Sequence, residues 1–171
     1  MSKIDTTDWK SFLISDVFKT NGKGTKLQVP TGANINQKDL IEGNTPRITV
    51  TGINNGISGY YSISEQMNDY RVFKNFISVS FLGTIFYHPY EASLDMKVHC
   101  LQLKNRDLNK YIGLFLIAAL KASLKDSSYS DQISSTLLPT LSIKLPVTPS
   151  GEPNFSYMES YMKNLESAVS S

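Results

Sequence analysis

The segment from Arg47 to Tyr61 constrains the fold most, because it contains two strand patterns joined by a tight reversal. Isoleucine, valine and threonine alternate along its first part, so apolar and hydroxyl side chains would face opposite sides of a strand. The sequence Asn54-Asn55-Gly56 follows, and these residue types tolerate the positive φ angles of a tight turn. The chain is strand-like again up to Tyr61. We therefore predict a β-hairpin whose tip carries two amide side chains that can donate and accept hydrogen bonds.

Further alternating stretches predict a sheet around this hairpin. They are Phe76–Phe81, Ile85–Tyr87 and Lys97–Leu103, and Pro89 should end the second of them. Short strands separated by glycine turns predict a compact, curved, mainly antiparallel sheet resembling a half-barrel. Alternation within the first stretch assigns Ile77, Val79 and Phe81 to its core face.

Helical spacing of apolar residues then takes over and completes an α+β fold. The first helix is predicted over Leu108–Leu124, with Asp107 or Asn109 as its N-cap, and Ser142–Val147 should form a final strand. We divide the chain into a domain at 1–147, a Pro/Gly hinge at 148–153 and a closing helix at 154–171. Apolar residues recur in that helix at spacings of three and four, like the seam of a coiled coil: Phe155, Met158, Met162, Leu165 and Val169. This stripe is predicted to bind a partner, and the alternative is that it folds back onto the domain.

Composition excludes several classes of protein. A chain of 171 residues is long enough to bury a core as one domain. Its single cysteine, Cys100, provides no disulfide framework and no thiolate cluster for zinc, so we expect it to be structural. No apolar leader or long apolar run is evident, so a cytoplasmic protein without a membrane segment is expected.

Catalytic motifs are scarce, and we predict no enzyme activity, no metal and no cofactor. The triplet Asp95-Met96-Lys97 has the acid-x-Lys form that some metal-dependent nucleases use, which leaves a small Mg²⁺-dependent nuclease as an alternative. Such a site needs a second carboxylate, and none stands on an obvious partner strand. A glycine-rich phosphate loop and a G-x-S-x-G motif are both missing from the sequence.

The positive indications are for binding. The stretch from Val17 to Lys38 contains four lysines, the last of them Lys38 itself, and no acidic residue, although the formal net charge is only +2. Cationic side chains suit phosphates and guanine edges, whereas amides and hydroxyls suit other base edges. The candidate DNA-binding residues are Lys23, Lys26, Arg47, Thr49, Asn54, Asn55, Tyr129 and Gln132. A sheet-based module that binds protein or sugar through Tyr60, Tyr61 and Tyr87 is a further alternative.

Three separated stretches together resemble the target recognition domain of type I restriction–modification specificity (S) subunits. The first runs from Trp9 to Phe18 and is similar to the family's entry motif of an aromatic pair before I-x-D-(I/V/L)-F. The second is the 46–61 hairpin with the 76–87 strands. The third is Ile143–Val147 with the helix beyond it, similar to an I-x-(L/I)-P strand that leads into a long helix.

This resemblance implies a non-catalytic α/β unit that reads one half of a split DNA sequence. Its helices would pack against a second copy and dock a DNA methyltransferase subunit and a restriction subunit, while the methylation cofactor stays with the methyltransferase. The family's usual subunit has two recognition domains, whereas this chain has one and its closing helix ends after about four turns. A self-associating half-subunit and a fragment of a longer subunit both fit. The family's variable recognition loops carry no fixed residue code, so no base contact is transferred from it.

Overall fold

The computed structural model describes residues 4–63, 71–125 and 132–170. Strands and helices follow in the order β1 (Lys10–Leu13), α1 (Ile14–Val17), β2 (Asn21–Lys23), β3 (Lys26–Gln28), β4 (Glu42–Ile48), β5 (Ile57–Tyr61), β6 (Val72–Ser80), β7 (Ile85–Leu94), β8 (Val98–Leu101), α2 (Lys110–Lys125), β9 (Ser142–Leu145) and α3 (Phe155–Ser170). Short 3₁₀ turns lie at Gln37–Asp39, Asn54–Gly56 and Leu138–Thr140. The predicted α+β class is confirmed.

A five-stranded sheet in the order β5-β4-β7-β6-β8 forms the centre of the protein. Its strands pair antiparallel except for the short parallel contact between β4 and β7. The β4–β5 hairpin is the one predicted from the Arg47–Tyr61 segment, with Pro46 opposite Tyr60. Two smaller antiparallel ribbons join β1 to β9 and β2 to β3.

The sheet is strongly curved, as its hydrogen bonds require. Ser93 pairs with Val72 at the beginning of β6, whereas Phe81, just beyond the other end of β6, donates to the carbonyl oxygen of Lys97. A straight nine-residue strand is about 30 Å long, but the chain from Ser93 to Lys97 can span at most about 14 Å. The two ends of β6 are therefore closer together than the ends of a straight strand, and the predicted half-barrel shape is confirmed.

Pro89 does not end β7, and that prediction was wrong. Lys74 pairs with Glu91 and Phe76 with His88, so Pro89 and Tyr90 together lie opposite Asn75 alone. This β-bulge, in which Asn75 has a φ of 56°, interrupts the ladder where Pro89 has no N–H to donate. The strand therefore continues through the proline to Leu94, and the bulge helps to bend it.

Both faces of the sheet are buried along β8 and the second half of β6. Ile77 and Val79 face α1, α2 and β9 and belong to the larger core cluster, as alternation predicted. Phe81 is only half-buried and stacks on the His99 ring with centroids 4.7 Å apart. A second cluster contains residues from the four adjacent strands β4, β7, β6 and β8: Ile48, Phe76, Ala92, Leu94, Val98 and Cys100.

Helix caps agree in part with the sequence predictions. The side-chain oxygen of Asn109 accepts the N–H of Ile112 at 2.9 Å, which caps α2 as predicted. Asn154 caps α3 in the same way through the N–H of Tyr157 at 3.0 Å. The two long helices are α2 and α3, and within the described ranges no helix is long and apolar enough to span a membrane.

We predict that stability falls as the pH drops below about 6.5, because two histidines are buried in the sheet. Burial lowers the pKa of both His88 and His99 to about 4, from 6.5 in the unfolded chain. Between these values the unfolded state binds more protons, so folding is progressively disfavoured. Each histidine should cost about 2 kcal/mol between pH 7 and pH 5. Urea unfolding at both pH values measures the difference; an unchanged free energy of unfolding would contradict the assignment.

Candidate nucleic-acid interface

The tip of the β4–β5 hairpin has an unusual backbone. Asn54, Asn55 and Gly56 all have positive φ angles, of 51°, 56° and 79°. Amide side chains and glycine are the residue types that tolerate this region. Ile53 precedes them and is 75% exposed, although it is aliphatic. The tip therefore presents an apolar and an amide side chain to solvent.

Asn55 is bound to its own chain. Its side-chain nitrogen donates to the carbonyl oxygen of Tyr87 at 3.1 Å and to the hydroxyl of Tyr90 at 2.9 Å, and lies 3.4 Å from Nδ1 of His88. The sequence predicted that this amide contacts DNA. In the structure its donors are used within the domain, which gives Asn55 a role in holding the tip.

Arg47 was predicted to contact DNA, and its position contradicts that prediction. The side chain is only 3% exposed; its guanidinium donates to the carbonyl oxygen of Ala33 at 2.8 Å and lies 3.5 Å from the Asp95 carboxylate. A weaker contact reaches the carbonyl oxygen of Leu94 at 3.4 Å. Arg47 thus joins β4 to the end of β7 and to the 31–34 segment. Sequence alone gave no sign of this, because these three segments are far apart along the chain.

Five loops form one continuous region, which we call the rim: residues 31–34, 49–54, 81–84, 95–97 and 132–136. Thr84 Oγ1 donates to the carbonyl oxygen of Val50 at 3.3 Å, which joins the hairpin loop to the β6–β7 turn. Phe81 donates its N–H to the carbonyl oxygen of Lys97, and its own carbonyl oxygen accepts the N–H of Ile133. These bonds join the 81–84 loop to the 95–97 and 132–136 loops. Gly32 and Ala33 donate their N–H groups to the carbonyl oxygens of Val98 and Leu94, which joins the 31–34 loop to the same region.

Cationic side chains lie on or beside the rim. Lys97 is exposed in the 95–97 turn, and exposed Arg71 is held beside the 31–34 segment by a hydrogen bond to the carbonyl oxygen of Thr31 at 3.0 Å. Lys26 is exposed on the β2–β3 ribbon, which is attached to the rim by the N–H of Val29 donating to Ser135. None of these three cations forms an ion pair with a residue in the described ranges.

The structure brings four of the other predicted residues to this region or beside it. Asn54 and Gln132 are exposed there, and Lys26 lies on the attached ribbon. Thr49 is half-buried, and its N–H donates to the carbonyl oxygen of Gly56 at 2.9 Å, so it closes the loop.

The side chains of two predicted residues are not described, and several rim residues were not predicted. The backbone of Lys23 is in β2, but its side chain is not among those described, and Tyr129 lies outside the described residues. Ile53, Arg71 and 65%-exposed Leu82 were not predicted. Their sequence contexts carry no motif, and only the folded sheet places them together.

The nuclease alternative is not supported by the position of Asp95. One carboxylate oxygen is paired with Arg47, and the other accepts the backbone N–H of Lys97 at 3.1 Å. Within the described ranges, no group of three or more His, Cys, Asp and Glu residues is arranged to hold a metal ion. Asp95 therefore stabilises the turn before β8.

The three tyrosines of the other alternative do not share a platform. The Tyr87 hydroxyl donates to Oδ1 of Asn75 at 2.6 Å, and its ring packs against the core beside Gly113 of α2. Tyr60 is exposed at the other edge of the sheet, whereas Tyr61 is half-buried. Cys100 is buried, and burial raises the pKa of its thiol well above the usual range, consistent with the structural role expected for it.

The apolar stripe of α3 is largely used by the domain itself, which corrects the partner-binding prediction for its first half. Met158 is completely buried, and Phe155 and Met162 pack against the core cluster that contains α2. Asn109 donates to Glu159 at 2.7 Å and Lys110 pairs with Glu166 at 3.0 Å, which further joins the two helices. The stripe is more open at its end: Leu165 is half-buried and Val169 is 86% exposed.

Comparisons with known proteins agree on one family. The family model described as "Type I restriction modification DNA specificity domain" matches residues 6–170. The specificity subunit S.BcgI of a type II restriction enzyme from Heyndrickxia coagulans is 29% identical over 164 residues, which are 94% of this chain and 44% of that protein.

Solved structures show the same fold. The S subunit of a type I restriction–modification system from M. genitalium superposes with a TM-score of 0.57 at 16% identity, covering 96% of this chain and 42% of the other. The HsdS subunit from Thermoanaerobacter tengcongensis gives 0.59 at 13% identity, covering 96% and 39%. A chain from a type I R-M system studied for its complex assembly gives 0.62 at 13% identity, covering 99% and 40%. The chain thus spans less than half the length of each of these relatives.

Proposed function

This chain belongs to the family of type I restriction modification DNA specificity domains, and we propose that it reads a DNA sequence and directs a methyltransferase complex to it. The family match over residues 6–170 is the observation that carries this proposal. The domain would act in the cytoplasm as a non-catalytic recognition unit. Its partners would be double-stranded DNA, a DNA methyltransferase subunit and, where the system also cleaves DNA, a restriction subunit.

The chemistry of the rim supports DNA as the ligand. Lys26, Arg71 and Lys97 are exposed cations without a described carboxylate partner, and such side chains bind backbone phosphates. Asn54 and Gln132 offer amides for base edges, and Ile53 offers an aliphatic contact for a thymine methyl group. Phosphate contacts would orient the domain, and the uncharged side chains between them would read the sequence.

Methyl transfer would take place on the partner subunit. The described carboxylates do not assemble a metal site, and the proposed role needs none, because recognition uses hydrogen bonds, charge and apolar contacts. The methyltransferase would bring both the cofactor and the catalytic residues. The domain would then contribute position: it would decide at which sequence the methyltransferase is held.

Methylation mapping in the source organism tests this proposal. Deletion of the gene should remove one methylated sequence motif from the genome, and the wild-type gene should restore it. A gene with Lys26, Arg71 and Lys97 changed to Ala should restore methylation poorly, whereas one with Lys104, Lys121 and Lys144 changed to Ala should restore it fully. An unchanged set of methylated motifs after deletion would contradict the proposal.

We also propose that the open end of α3 contacts a second copy of the chain or the methyltransferase subunit. Val169 continues the apolar stripe beyond the part that is covered by α2, and Leu165 is only half-covered. The relatives are more than twice as long as this chain, so two such units would match their length. A two-fold pair would read an inverted repeat with a fixed spacer.

Changing Leu165 and Val169 to Lys should abolish this association and leave the domain folded, because neither side chain is fully buried. Sedimentation of the wild type and the variant, alone and with the methyltransferase subunit, measures association. Circular dichroism verifies folding. Changing Asn164 and Ser167 to Lys, at exposed positions in the same turns, serves as the control for the two added charges. A wild type that stays monomeric and binds no methyltransferase subunit would contradict this interface.

A further inference from the structure

The tip of the β4–β5 hairpin is held in a conformation that most residues avoid. Asn54 and Asn55 are consecutive non-glycine residues with positive φ. Each such residue costs free energy and persists only where its surroundings hold it. Residues of this kind occur preferentially where a chain recognises a ligand. The contacts that hold the tip in this conformation are therefore relevant to its function.

A directional chain of hydrogen bonds holds Asn55. The amide nitrogen can only donate, so the Tyr90 hydroxyl accepts from it and directs its own hydrogen to Nδ1 of His88, 3.0 Å away. His88 is then protonated at Nε2 and donates to Oγ of Ser78 at 2.8 Å. Burial lowers the pKa of His88 to about 4, which keeps the ring neutral as this arrangement requires. This series of hydrogen bonds runs from the exposed tip to the buried centre of β6.

Packing fixes the same tip from below. Gly56 donates its N–H to the carbonyl oxygen of Ile53 at 2.9 Å, and a side chain at Gly56 would approach Ile48 and Phe86 to 3.2 Å. The side chains of Ile53 and Asn54, which directly precede Asn55, remain exposed. Side chains on a backbone that is already ordered lose less conformational entropy on binding. The tip is therefore suited to discriminate between ligands of similar shape.

We propose that Asn55 is a positioning residue for sequence discrimination, whose anchoring to Tyr87 and Tyr90 presents Ile53 and Asn54 to the base edges of a DNA duplex. This inference rests on the proposed function. Asn54 would hydrogen-bond to a base through its amide oxygen and its second N–H, because its nitrogen also lies 3.4 Å from the carbonyl oxygen of Ile57, and Ile53 would contact a thymine methyl group. Asn55 acts through these neighbours and does not touch DNA. Its loss should therefore affect discrimination much more than the sequence-independent binding to phosphates.

The chain provides a matched control for this test. Asn55→Gly removes the anchoring amide while glycine still accepts the positive φ. Asn75→Gly is the same change at the same φ of 56°, and it also removes partly buried hydrogen bonds, to the carbonyl oxygen of Leu108 and from the Tyr87 hydroxyl. Asn75, however, lies in β6 opposite the β7 bulge, and its side chain anchors the Leu108 carbonyl before α2 and the Tyr87 hydroxyl rather than the tip. Both variants lose side-chain anchoring, but only one loses it at the tip.

Selection from a randomised duplex library with the wild-type chain identifies the preferred sequence. The affinities of each variant for the enriched duplex and for a scrambled duplex then give a discrimination ratio. Asn55→Gly should lower this ratio about tenfold, the effect of one lost base contact, with binding of the scrambled duplex nearly unchanged. Asn75→Gly should keep the wild-type ratio. Tyr90→Phe, which removes only the hydroxyl in the chain, should lower the ratio in the same direction, and it carries the test if Asn55→Gly does not fold.

Three results would overturn the inference. They are a wild-type ratio in Asn55→Gly, an equal loss in Asn75→Gly, or an unchanged ratio in Tyr90→Phe. A wild-type chain that enriches no sequence would instead overturn the proposed function, and the inference with it. The two failures are therefore distinguishable.

Discussion

Replacing Val79 with Asp should abolish folding. Val79 is completely buried in the larger core cluster and pairs with Ile85 and His99 on the neighbouring strands. A carboxylate there would have to be desolvated among the apolar side chains of this cluster, at a cost of several kcal/mol. Domains of this size are stable by only about 5–15 kcal/mol in total. The expected result is an insoluble or unfolded protein in circular dichroism.

Lys74→Asp is the control for this prediction. Lys74 lies on the same strand, but its side chain is exposed, so the same carboxylate remains in water. This variant should fold and melt close to the wild type. A soluble Val79→Asp variant with an unaltered melting temperature would show that the assigned register of β6 is wrong.

Replacing Arg47 with Ala should destabilise the protein by about 3 kcal/mol, at the low end of the range for breaking a buried ion pair. The change leaves Asp95 without its cation, and it leaves the carbonyl oxygens of Ala33 and Leu94 without these donors. Asp95 is partly exposed, so water screens part of the loss. Urea unfolding measures the difference.

Arg47→Lys should lie between the wild type and Arg47→Ala. Lysine keeps the positive charge, but its ammonium group cannot donate to several acceptors in one plane as the guanidinium does. At a temperature where all three proteins are folded, their sequence preference should be the same. A variant of normal stability that has lost its sequence preference would show that Arg47 reads DNA after all.

Local patterns in the sequence predicted most of the secondary structure. The Asn54-Asn55-Gly56 turn, the Asn109 cap and the alternation at Ile77 and Val79 depend on neighbouring residues along the chain, and the structure agrees with each. Pro89 was misassigned because a proline is tolerated at a β-bulge, and the bulge depends on the partner strand.

The candidate site was harder to predict because it is assembled from loops that are far apart along the chain. Segments that are more than a hundred residues apart along the chain meet at the rim. For example, Val29 donates its N–H to the carbonyl oxygen of Ser135. Arg47 was misassigned for a similar reason: Asp95 becomes its neighbour through the parallel pairing of β4 with β7, and Ala33 through the hydrogen bond of its N–H to Leu94. The closing stripe was predicted correctly as an apolar face, but spacing alone does not say whether α2 or another chain covers Met158.

Salt dependence of duplex binding tests the central claim, that the rim binds DNA, most directly. Each phosphate contact contributes a slope of about −0.9 to a plot of log K against log salt concentration. If Lys26, Arg71 and Lys97 each contact a phosphate, changing all three to Ala should flatten the slope by about 3. Changing Lys104, Lys121 and Lys144 to Ala removes the same charge from exposed positions away from the rim, and should leave the slope nearly unchanged. Equal slopes for the two triple variants, or a wild type that binds no duplex at low salt, would contradict the account.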